Sequence, residues 1–552
     1  MEERIRKAIA DELKSAGAGD VAFAVERPSD AAHGDYATNA ALVAAKTLGK
    51  NPRELADELA RSIIDSLGKD IASHVSVAGP GFVNITLARE VVTFAVAEAD
   101  AKGNEWGKGI AEDGKRIIVE YSNPNAFKEM HLGHLVGTVV GEAVSRLFEN
   151  SGATVVRDTF GGDIGPNVAK ALWGLQEKGI IEPETAREIG VAYAEGSNAY
   201  ESDPNAKAEI DALNKAIYAG NDRELMELWR KGRDVSVEEF RRVWKLLGTH
   251  FDFEFFDSDT TEAGVRIVKD ALEKGIFEKS DGAIIYNGEE KGVHTMVFIT
   301  SHNTPTYEAK DIGLAFLKEE RWPSDKSVIV TGNEQTGRFK TVLAALGEIA
   351  PLLAEKTVHV ATGFLKLSSG KMSSREGNVI TASDFINGVI AKVSEKNADP
   401  LIAEQVAVGA IKYMILRQAP GSDIIFDAEK SLSLEGDSGP YLQYALVRAK
   451  SVLKQAEEKA GTSAAEVPEV PHLLERIILH YPEVAARAAR ELSPNLLVNY
   501  LTELAGEWNS FYAKERIVSG EYESHKILLA RAFVQTMTNG LTVLGIPTPE
   551  RL

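Results

Sequence analysis

Two histidines lie close together where an apolar run gives way to a helical pattern. The segment IIVEYSNPNAFKEMHLGHLVGTVVGEAVSRLFENSG covers residues 117–152. Because His131 and His134 are three residues apart, a helix that begins there places both rings on its first turn, beside free backbone N–H groups. The positive end of a helix favours a phosphate, and Gly133 leaves room for a flat ring to approach the backbone. The pattern therefore suits a nucleoside triphosphate, although an isolated HxGH also fits a metal-binding pair or two surface histidines.

A second polar segment, LKLSSGKMSSREGNVIT at 365–381, follows the apolar run TVHVATG. Lys371 supplies a mobile positive charge, and Ser373 and Ser374 supply hydroxyl and N–H donors, which suit a triphosphate under attack at its α-phosphorus. Alone, this segment is equally typical of a flexible surface turn. Because the two motifs occur together, each after a predicted strand, they favour a nucleotide site over the simpler interpretations.

The elements that must position these motifs are short β-rich runs alternating with helical segments. RIIVEYS, TVVRDTF, VFITS, SVIVTG and TVHVATG are the runs, and their alternation with helices predicts a parallel α/β sheet. The pattern of strand-like apolar runs and helical segments changes twice along the chain, which predicts three domains. These are a mixed α+β domain at 1–112, the α/β domain at 113–385 with a charge-rich helical insertion at about 174–275, and a helical domain at 386–552.

Composition excludes several classes of site. The chain has 552 residues and no cysteine, which excludes disulfides, thiolate–zinc sites, iron–sulfur clusters and a cysteine nucleophile. No apolar run reaches the roughly 18 residues of a membrane span, and the first helix, with Ile5, Ile9 and Leu13 on one face, has no signal-peptide core. We therefore predict a cytoplasmic protein with no membrane partner. The net charge of −20 argues against a surface coated with basic residues for nucleic acid.

HLGH followed by KMSS resembles the paired nucleotide motifs of class I aminoacyl-tRNA synthetases, and VEYSNPNAFKEMHLGHLVGTVVGEA is similar to the corresponding segment of the arginyl-tRNA synthetases. GDYATNAAL, GKNPREL and AGPGFVNITL resemble the N-terminal domain of that family, and LEGDSGPYLQYALVRAKSVL and NSFYAKERIV its helical C-terminal domain. The resemblance covers essentially the whole chain. It implies a Rossmann-like catalytic domain, an α+β N-terminal domain that contacts tRNA and an all-α anticodon-binding bundle.

The resemblance also implies roles for individual residues. His131, His134 and Lys371 would be catalytic, and Gly133, Met372, Ser373, Ser374 and Arg375 would complete the ATP site. Asp311 and Glu120 would embrace the guanidinium of arginine with Tyr307 beside it, while Asn125 and Gln335 would hold the α-ammonium group. The sequence departs from the usual class I loop after the first serine, where Ser374 and Arg375 stand in place of a second lysine. Lys371 and Arg375 would then share that role.

The implied reaction forms arginyl-adenylate from ATP with Mg²⁺ and L-arginine, then transfers the arginyl group to the 3′ end of tRNA(Arg). No zinc and no tightly bound cofactor are expected, and the protein would be a monomer. Local basic patches and stacking aromatic rings would bind the tRNA. The candidates for that role are Tyr36, Asn39, Arg448, Lys450, Lys454, Trp508, Phe511 and Tyr512. From the residues alone, the cations also fit a solvated helix face and the aromatic rings a core.

Three other functions are compatible with parts of the pattern. A different class I synthetase would share the nucleotide motifs but would not explain Glu120, Asn125, Tyr307, Asp311 and Gln335 together. A small HxGH nucleotidylyltransferase has no use for the long flanking regions. An inactive relative that binds RNA or serves as a scaffold would have no need of both nucleotide motifs.

Overall fold

The computed structural model describes residues 1–368, 380–458 and 466–552. Packing divides the chain into two units, and each is described by itself. Unit 1 comprises Met1–Lys108, Tyr444–Ala485 and Tyr500–Gly540, and unit 2 comprises Gly109–Gln443, Ala486–Asn499 and Leu541–Leu552. Since these units follow packing rather than chain order, the three domain ranges predicted above stay a prediction. None of the described helices is long and apolar enough to cross a membrane.

The first 108 residues of unit 1 contain a four-stranded antiparallel sheet and four α-helices. The elements are α1 (Glu2–Ser15), β1 (Val25–Glu26), β2 (Tyr36–Thr38), α2 (Ala40–Leu48), α3 (Pro52–Leu67), β3 (Ala72–Ala78), β4 (Phe82–Leu87) and α4 (Arg89–Lys102). The strand order is β1-β2-β4-β3. Ile5, Ile9 and Leu13 are buried on one face of α1, which confirms the predicted amphipathic helix. Gly79, Pro80 and Gly81 form the turn between β3 and β4.

Unit 2 is built on a five-stranded parallel sheet. The strands of the unit are β5 (Arg116–Glu120), β6 (Thr154–Gly161), β7 (Phe253–Phe256), β8 (Glu278–Ser280), β9 (Ala283–Tyr286), β10 (Met296–Ile299), β11 (Lys326–Gly332), β12 (Thr357–Thr362), β13 (Leu365–Leu367) and β14 (Ile424–Phe426). The main sheet has the order β12-β11-β5-β6-β7, which confirms the predicted parallel α/β architecture.

One of the five predicted parallel runs belongs to another sheet. VFITS forms β10, which pairs antiparallel with β9 in a separate sheet of order β10-β9-β8. The prediction was wrong for this run because a short apolar strand does not reveal its partner from composition alone. Helices were also predicted to dominate after residue 386, and the short strand β14, which pairs parallel with β13, interrupts them.

The α-helices of unit 2 that precede residue 443 follow in chain order. They are α5 (Leu132–Asn150), α6 (Pro166–Glu177), α7 (Ala186–Ser202), α8 (Pro204–Ala219), α9 (Arg223–Leu246), α10 (Asp257–Glu273), α11 (Tyr307–Arg321), α12 (Thr336–Ile349), α13 (Pro351–Glu355), α14 (Ala382–Ser394), α15 (Pro400–Leu416) and α16 (Ala428–Ser431). The predicted insertion at about 174–275 is largely helical. It also contains β7, the edge strand of the main sheet, so the inserted helices end before residue 253.

The rest of the chain is helical, as predicted. Its α-helices are α17 (Gly439–Glu458), α18 (Leu473–Leu479), α19 (Tyr481–Arg490), α20 (Pro494–Lys514) and α21 (Glu523–Val543). Trp508 of α20 is fully buried and stacks on Phe533 of α21, with ring centroids 4.6 Å apart. This stacked pair forms part of the core of unit 1.

A buried carboxylate links α5 to β6. Glu142 accepts hydrogen bonds from Arg157 Nε at 2.9 Å, Arg146 Nε at 2.6 Å and Tyr121 Oη at 2.7 Å, and it is 2% exposed. Although burial raises its pKa, Arg157 and Arg146 outweigh that effect and lower the pKa of Glu142 to about 2. The ionised form is therefore strongly favoured in the folded protein.

Replacing Glu142 with Gln is expected to lower the free energy of unfolding by about 3 kcal/mol at pH 7, because the buried Arg157 loses a charged partner. The folded pKa lies below the unfolded value of 4.5, so the contribution is complete above pH 4.5 and is lost as pH falls toward 2. Urea unfolding at pH 7, 5 and 3 measures both effects. Glu149→Gln, at the half-exposed second partner of Arg157, is the control and should cost less than about 1 kcal/mol. An equal cost for the two variants would contradict the expectation.

Candidate active site

A cavity of about 690 Å³ opens at the carboxyl ends of β5 and β11. In the sheet, β5 lies between β6, the next strand in the chain, and β11, a much later one, so the direction of the strand order reverses between β5 and β11. Ligands of α/β proteins usually bind at such a reversal. The cavity is lined by every described residue that the resemblance assigned to the binding of ATP or arginine. They are Glu120, Asn125, His131, Gly133, His134, Tyr307, Asp311 and Gln335.

The two histidines stack at the start of α5, with ring centroids 3.7 Å apart. His131 is the N-cap residue, as the sequence predicts for a helix beginning there, and its Nδ1 accepts a hydrogen bond from the Gly133 N–H at 3.1 Å. His134 Nδ1 accepts one from the His131 N–H at 3.3 Å. Because each Nδ1 is an acceptor, the proton of each neutral ring is on Nε2. A Cβ at Gly133 would lie 3.0 Å from the His131 ring, so the glycine also makes space for this stack.

Both rings are neutral at pH 7. Burial lowers the pKa of His134 well below its ordinary value, and the neighbouring His131 and Lys128 lower it further. Burial also lowers the pKa of His131, again with a contribution from Lys128. Each ring therefore offers an uncharged Nε2–H donor, which can bind a phosphate oxygen without gaining or losing a proton.

Lys128 is a cation beside the nucleotide motif that the sequence reasoning missed. It stands three residues before His131, and its Nζ lies 4.4 Å from the centre of the Tyr193 ring. Lys128 is the lysine of FKEMHLGH in the sequence. The position of its side chain relative to the histidines depends on the conformation of the turn before α5, which the sequence alone does not give.

Asp311, which also lines the cavity, forms an ion pair with Arg338. The same Arg338 donates from Nε to the Gln335 side-chain oxygen at 2.9 Å. Burial raises the pKa of Asp311 to about 7 even though Arg338 opposes the rise. The sequence pointed to Asp311 and Gln335 but did not identify Arg338, which lies in the same GNEQTGRFK segment as Gln335.

Glu120 reaches the cavity but is already held by protein groups. Lys318 Nζ lies 2.6 Å from one carboxylate oxygen, and Asn123 Nδ2 donates to the other at 2.8 Å. The same Lys318 Nζ lies 2.8 Å from Asp158, and all three charged residues are buried. Asn123 has a φ of 50°, a left-handed conformation that its side-chain bonds to Glu120 and to the Phe160 N–H maintain.

Tyr307 and Asn125 also line the cavity. Tyr307 begins α11, so it lies one turn before Asp311, and it is 53% exposed. Asn125 Oδ1 accepts a hydrogen bond from the Gly162 N–H at 3.1 Å, which leaves its amide NH₂ group as the donor. Asp257, a cavity residue that the sequence reasoning missed, forms an ion pair with Lys310 at 2.8 Å.

Lys371, Met372, Ser373, Ser374 and Arg375 lie outside the described residues. The described chain on either side reaches the cavity, since Leu365 and Ile380 both line it. Immediately afterwards, the Ala382 N–H donates to the Met130 carbonyl at 2.7 Å, one residue before the histidine pair. The predicted roles of the five loop residues therefore stay predictions.

The residues predicted to bind tRNA differ in accessibility within unit 1. Trp508, Phe511 and Tyr36 are buried, and Tyr36 Oη donates to Glu483 at 2.8 Å, so these three rings offer no face to a base, contrary to the prediction. Asn39 Oδ1 accepts from the Ala24 N–H at 2.8 Å and is partly exposed. Three further candidates lie on α17, where Arg448 and Lys450 are partly exposed and Lys454 is exposed.

Tyr512 and Arg448 form an accessible aromatic–cation pair. The Arg448 guanidinium carbon lies 4.7 Å from the centre of the Tyr512 ring, and Tyr512 is 40% exposed. Such a pair can stack on an unpaired base while contacting its phosphate. Of the four aromatic rings predicted to contact tRNA, Tyr512 is the exposed one, and its role stays a prediction.

Within residues 1–368, 380–458 and 466–552, no group of three or more His, Asp or Glu side chains could hold a metal ion.

Three protein-family models match the chain. The model described as tRNA synthetases class I (R), catalytic domain, matches residues 96–428. The DALR anticodon binding domain matches residues 442–552, and the arginyl tRNA synthetase N terminal domain matches residues 3–87. Together they span most of the chain.

Curated relatives and solved structures agree with these matches. The chain is 30% identical to the arginine–tRNA ligase of Treponema denticola, covering 95% of this chain and 94% of that protein. It is 29% identical to the arginine–tRNA ligase of Limosilactobacillus reuteri, covering 100% and 99%. The arginyl-tRNA synthetase structure from Thermus thermophilus has the same fold, with a TM-score of 0.81, 24% identity and 100% coverage of both chains.

Proposed function

The chain belongs to the class I arginyl-tRNA synthetases, and from this we propose that the cavity between β5 and β11 is where it activates L-arginine. The chain is an arginine–tRNA ligase: it joins arginine to tRNA with the conversion of ATP to AMP and pyrophosphate. One observation supports the location most directly. The HLGH residues and all five residues assigned to arginine line a single cavity.

ATP binds, in this proposal, at the end formed by the start of α5. The Nε2–H groups of His131 and His134 donate to phosphate oxygens, and Lys128 adds a nearby positive charge. Gly133 lets the adenine approach the backbone, and the ATP arrives with Mg²⁺. Lys371, Met372, Ser373, Ser374 and Arg375 are the other residues that bind ATP, and Lys371 is catalytic. Little covalent chemistry is needed from the protein, because positioning and charge stabilisation lower the barrier.

L-Arginine binds at the other end of the cavity. Asp311 accepts hydrogen bonds from the guanidinium group, with Glu120 as the second carboxylate and Tyr307 beside the side chain. Asn125 and Gln335 contact the α-ammonium group. The α-carboxylate then faces the α-phosphorus of ATP, attacks it and releases pyrophosphate. A terminal ribose hydroxyl of tRNA(Arg) afterwards takes the arginyl group and releases AMP.

The same proposal extends to partners and location. tRNA(Arg) contacts the N-terminal domain and the helical C-terminal domain, where Arg448 and Tyr512 form an accessible aromatic–cation pair. The protein acts as a monomer in the cytoplasm, without zinc and without a tightly bound cofactor.

Replacing His134 with Asn is expected to slow adenylate formation by about 10²-fold, because Asn keeps an acceptor near the Nδ1 position but has no donor at Nε2. His134→Gln is the matched control: its amide reaches the Nε2 position, so its loss should stay below about tenfold. ATP–pyrophosphate exchange with L-arginine, with and without tRNA, measures both. Because burial lowers the pKa of His134 well below its ordinary value of 6.5, this ring should produce no inflection between pH 6.5 and 8. Equal losses in the two variants would remove the Nε2 donor from the proposal.

The same exchange assay tests the function as a whole. Exchange that depends on L-arginine supports the proposal. Exchange with a different amino acid would point to another class I synthetase, and no exchange under any condition would point to an RNA-binding protein without catalysis.

A further inference from the structure

Arg338 contacts two residues that the proposed function assigns to the recognition of L-arginine, Asp311 and Gln335. The Arg338 guanidinium forms an ion pair with Asp311, and its Nε donates to the Gln335 oxygen at 2.9 Å. Arg338 also lines the cavity. Its guanidinium is chemically the same group that L-arginine would bring to Asp311.

Two other carboxylates of the cavity are also paired with cations, but those cations are locked in place. Lys318 is 6% exposed and lies between two carboxylates, Glu120 and Asp158. Lys310 is 5% exposed and pairs with Asp257, which is 3% exposed. Releasing either lysine would leave a buried charge without a partner, which is strongly unfavourable.

Arg338 differs from both lysines. Its side chain is 20% exposed, against 6% for Lys318 and 5% for Lys310, and it contacts one carboxylate and one neutral amide. Its long side chain can turn toward solvent, where guanidinium is well tolerated. Of these three cations, Arg338 is the one that an incoming cation can replace at the lowest cost.

We propose that Arg338 is an internal competitor for the substrate guanidinium: it occupies Asp311 in the empty cavity, and L-arginine displaces it on binding. The inference depends on the proposed role of Asp311 in arginine recognition. While the cavity is empty, Arg338 supplies the counter-charge that a buried carboxylate needs. When arginine binds, one guanidinium replaces another, so the number of charges at Asp311 stays the same.

Displacement reduces the apparent affinity for arginine. If Asp311 is free of Arg338 for only about one tenth of the time, the apparent Kd is about tenfold weaker than that of an open site. Any ligand that must displace Arg338 is weakened by the same factor. A ligand at the histidine end of the cavity is not affected.

The test is the affinity of Arg338→Met for L-arginine, measured by isothermal titration calorimetry at pH 8.5. We expect arginine to bind about tenfold more tightly than to the unaltered protein, L-lysine to gain by the same factor, and ATP affinity to stay unchanged. Unchanged or weaker arginine binding would overturn the proposal, because it would mean that Arg338 is absent from the competition or helps to hold the substrate.

Further variants separate this inference from the proposed function. In an Asp311→Asn background, Arg338→Met should give no gain, because the site of competition is absent. If Asp311→Asn alone leaves arginine affinity unchanged, the proposed role of Asp311 fails. If arginine needs Asp311 but Arg338→Met gives no gain, only the competition fails. Arg338→Lys keeps a positive charge without the planar guanidinium, so it should increase the affinity for arginine by only about threefold. It replaces Arg338→Met in the test if the Met variant does not fold.

Discussion

Asp311→Asn is expected to lower kcat/KM for L-arginine by about 10³-fold in ATP–pyrophosphate exchange, the largest loss we expect from a single substitution here. Asn has the size of Asp but carries no charge, so it can satisfy the guanidinium of the substrate only in part. A loss of 10³-fold corresponds to about 4 kcal/mol of binding to the transition state.

Glu308→Gln is the matched control for this loss. Glu308 lies on the same helix and acts on Asp311 and Arg338 through its charge, but it does not line the cavity. We expect its effect to stay below tenfold and the KM for ATP to be unaffected in both variants. Burial raises the pKa of Asp311 to about 7, so the unaltered protein should lose arginine affinity as pH falls from 8 to 6. Full arginine activity in Asp311→Asn would mean that the guanidinium binds elsewhere.

The local parts of the site could be predicted from the sequence. The helix beginning beside His131 follows from its apolar periodicity and its polar first turn, which depend only on neighbouring residues. The common face of Tyr307 and Asp311 follows from helical spacing in the same way. The presence of Glu120, His131 and Gln335 in one cavity follows from the parallel sheet, because these residues lie at or just after the carboxyl ends of β5 and β11.

The electrostatic partners could not be predicted in this way. Lys318 is 198 residues from Glu120 in the sequence, and no local pattern relates them. Arg338 is 27 residues from Asp311 in the sequence. From its own helix α12 alone it fits an ordinary surface cation, and only the packing of α12 beside α11 shows its partner. The same limit explains Trp508, since an aromatic residue in a helix fits a stacking surface and a core equally well until its neighbour Phe533 is known.

Lys318→Met is expected to lower the free energy of unfolding by about 4 kcal/mol at pH 8, the largest loss of stability we expect. Lys318 Nζ lies 2.6 Å from Glu120 and 2.8 Å from Asp158. Without it, two buried carboxylates face each other with no cation between them. Urea unfolding of the variant at pH 8 measures the loss. Lys326→Met is the control, because Lys326 is 33% exposed and 3.8 Å from its partner, so its loss should stay below about 1 kcal/mol.

The pH dependence distinguishes this loss from a simple packing defect. Burial and the nearby Glu120 already raise the pKa of Asp158 above its unfolded value of 3.8, although Lys318 opposes them. Removing Lys318 raises that pKa further, so the folded variant takes up a proton that the unfolded chain does not. The loss of stability should therefore be smaller at pH 5 than at pH 8, because a protonated Asp158 no longer repels Glu120. A loss of stability that does not change between pH 5 and 8 would mean that Lys318 stabilises the fold through the packing of its hydrocarbon chain rather than through its charge.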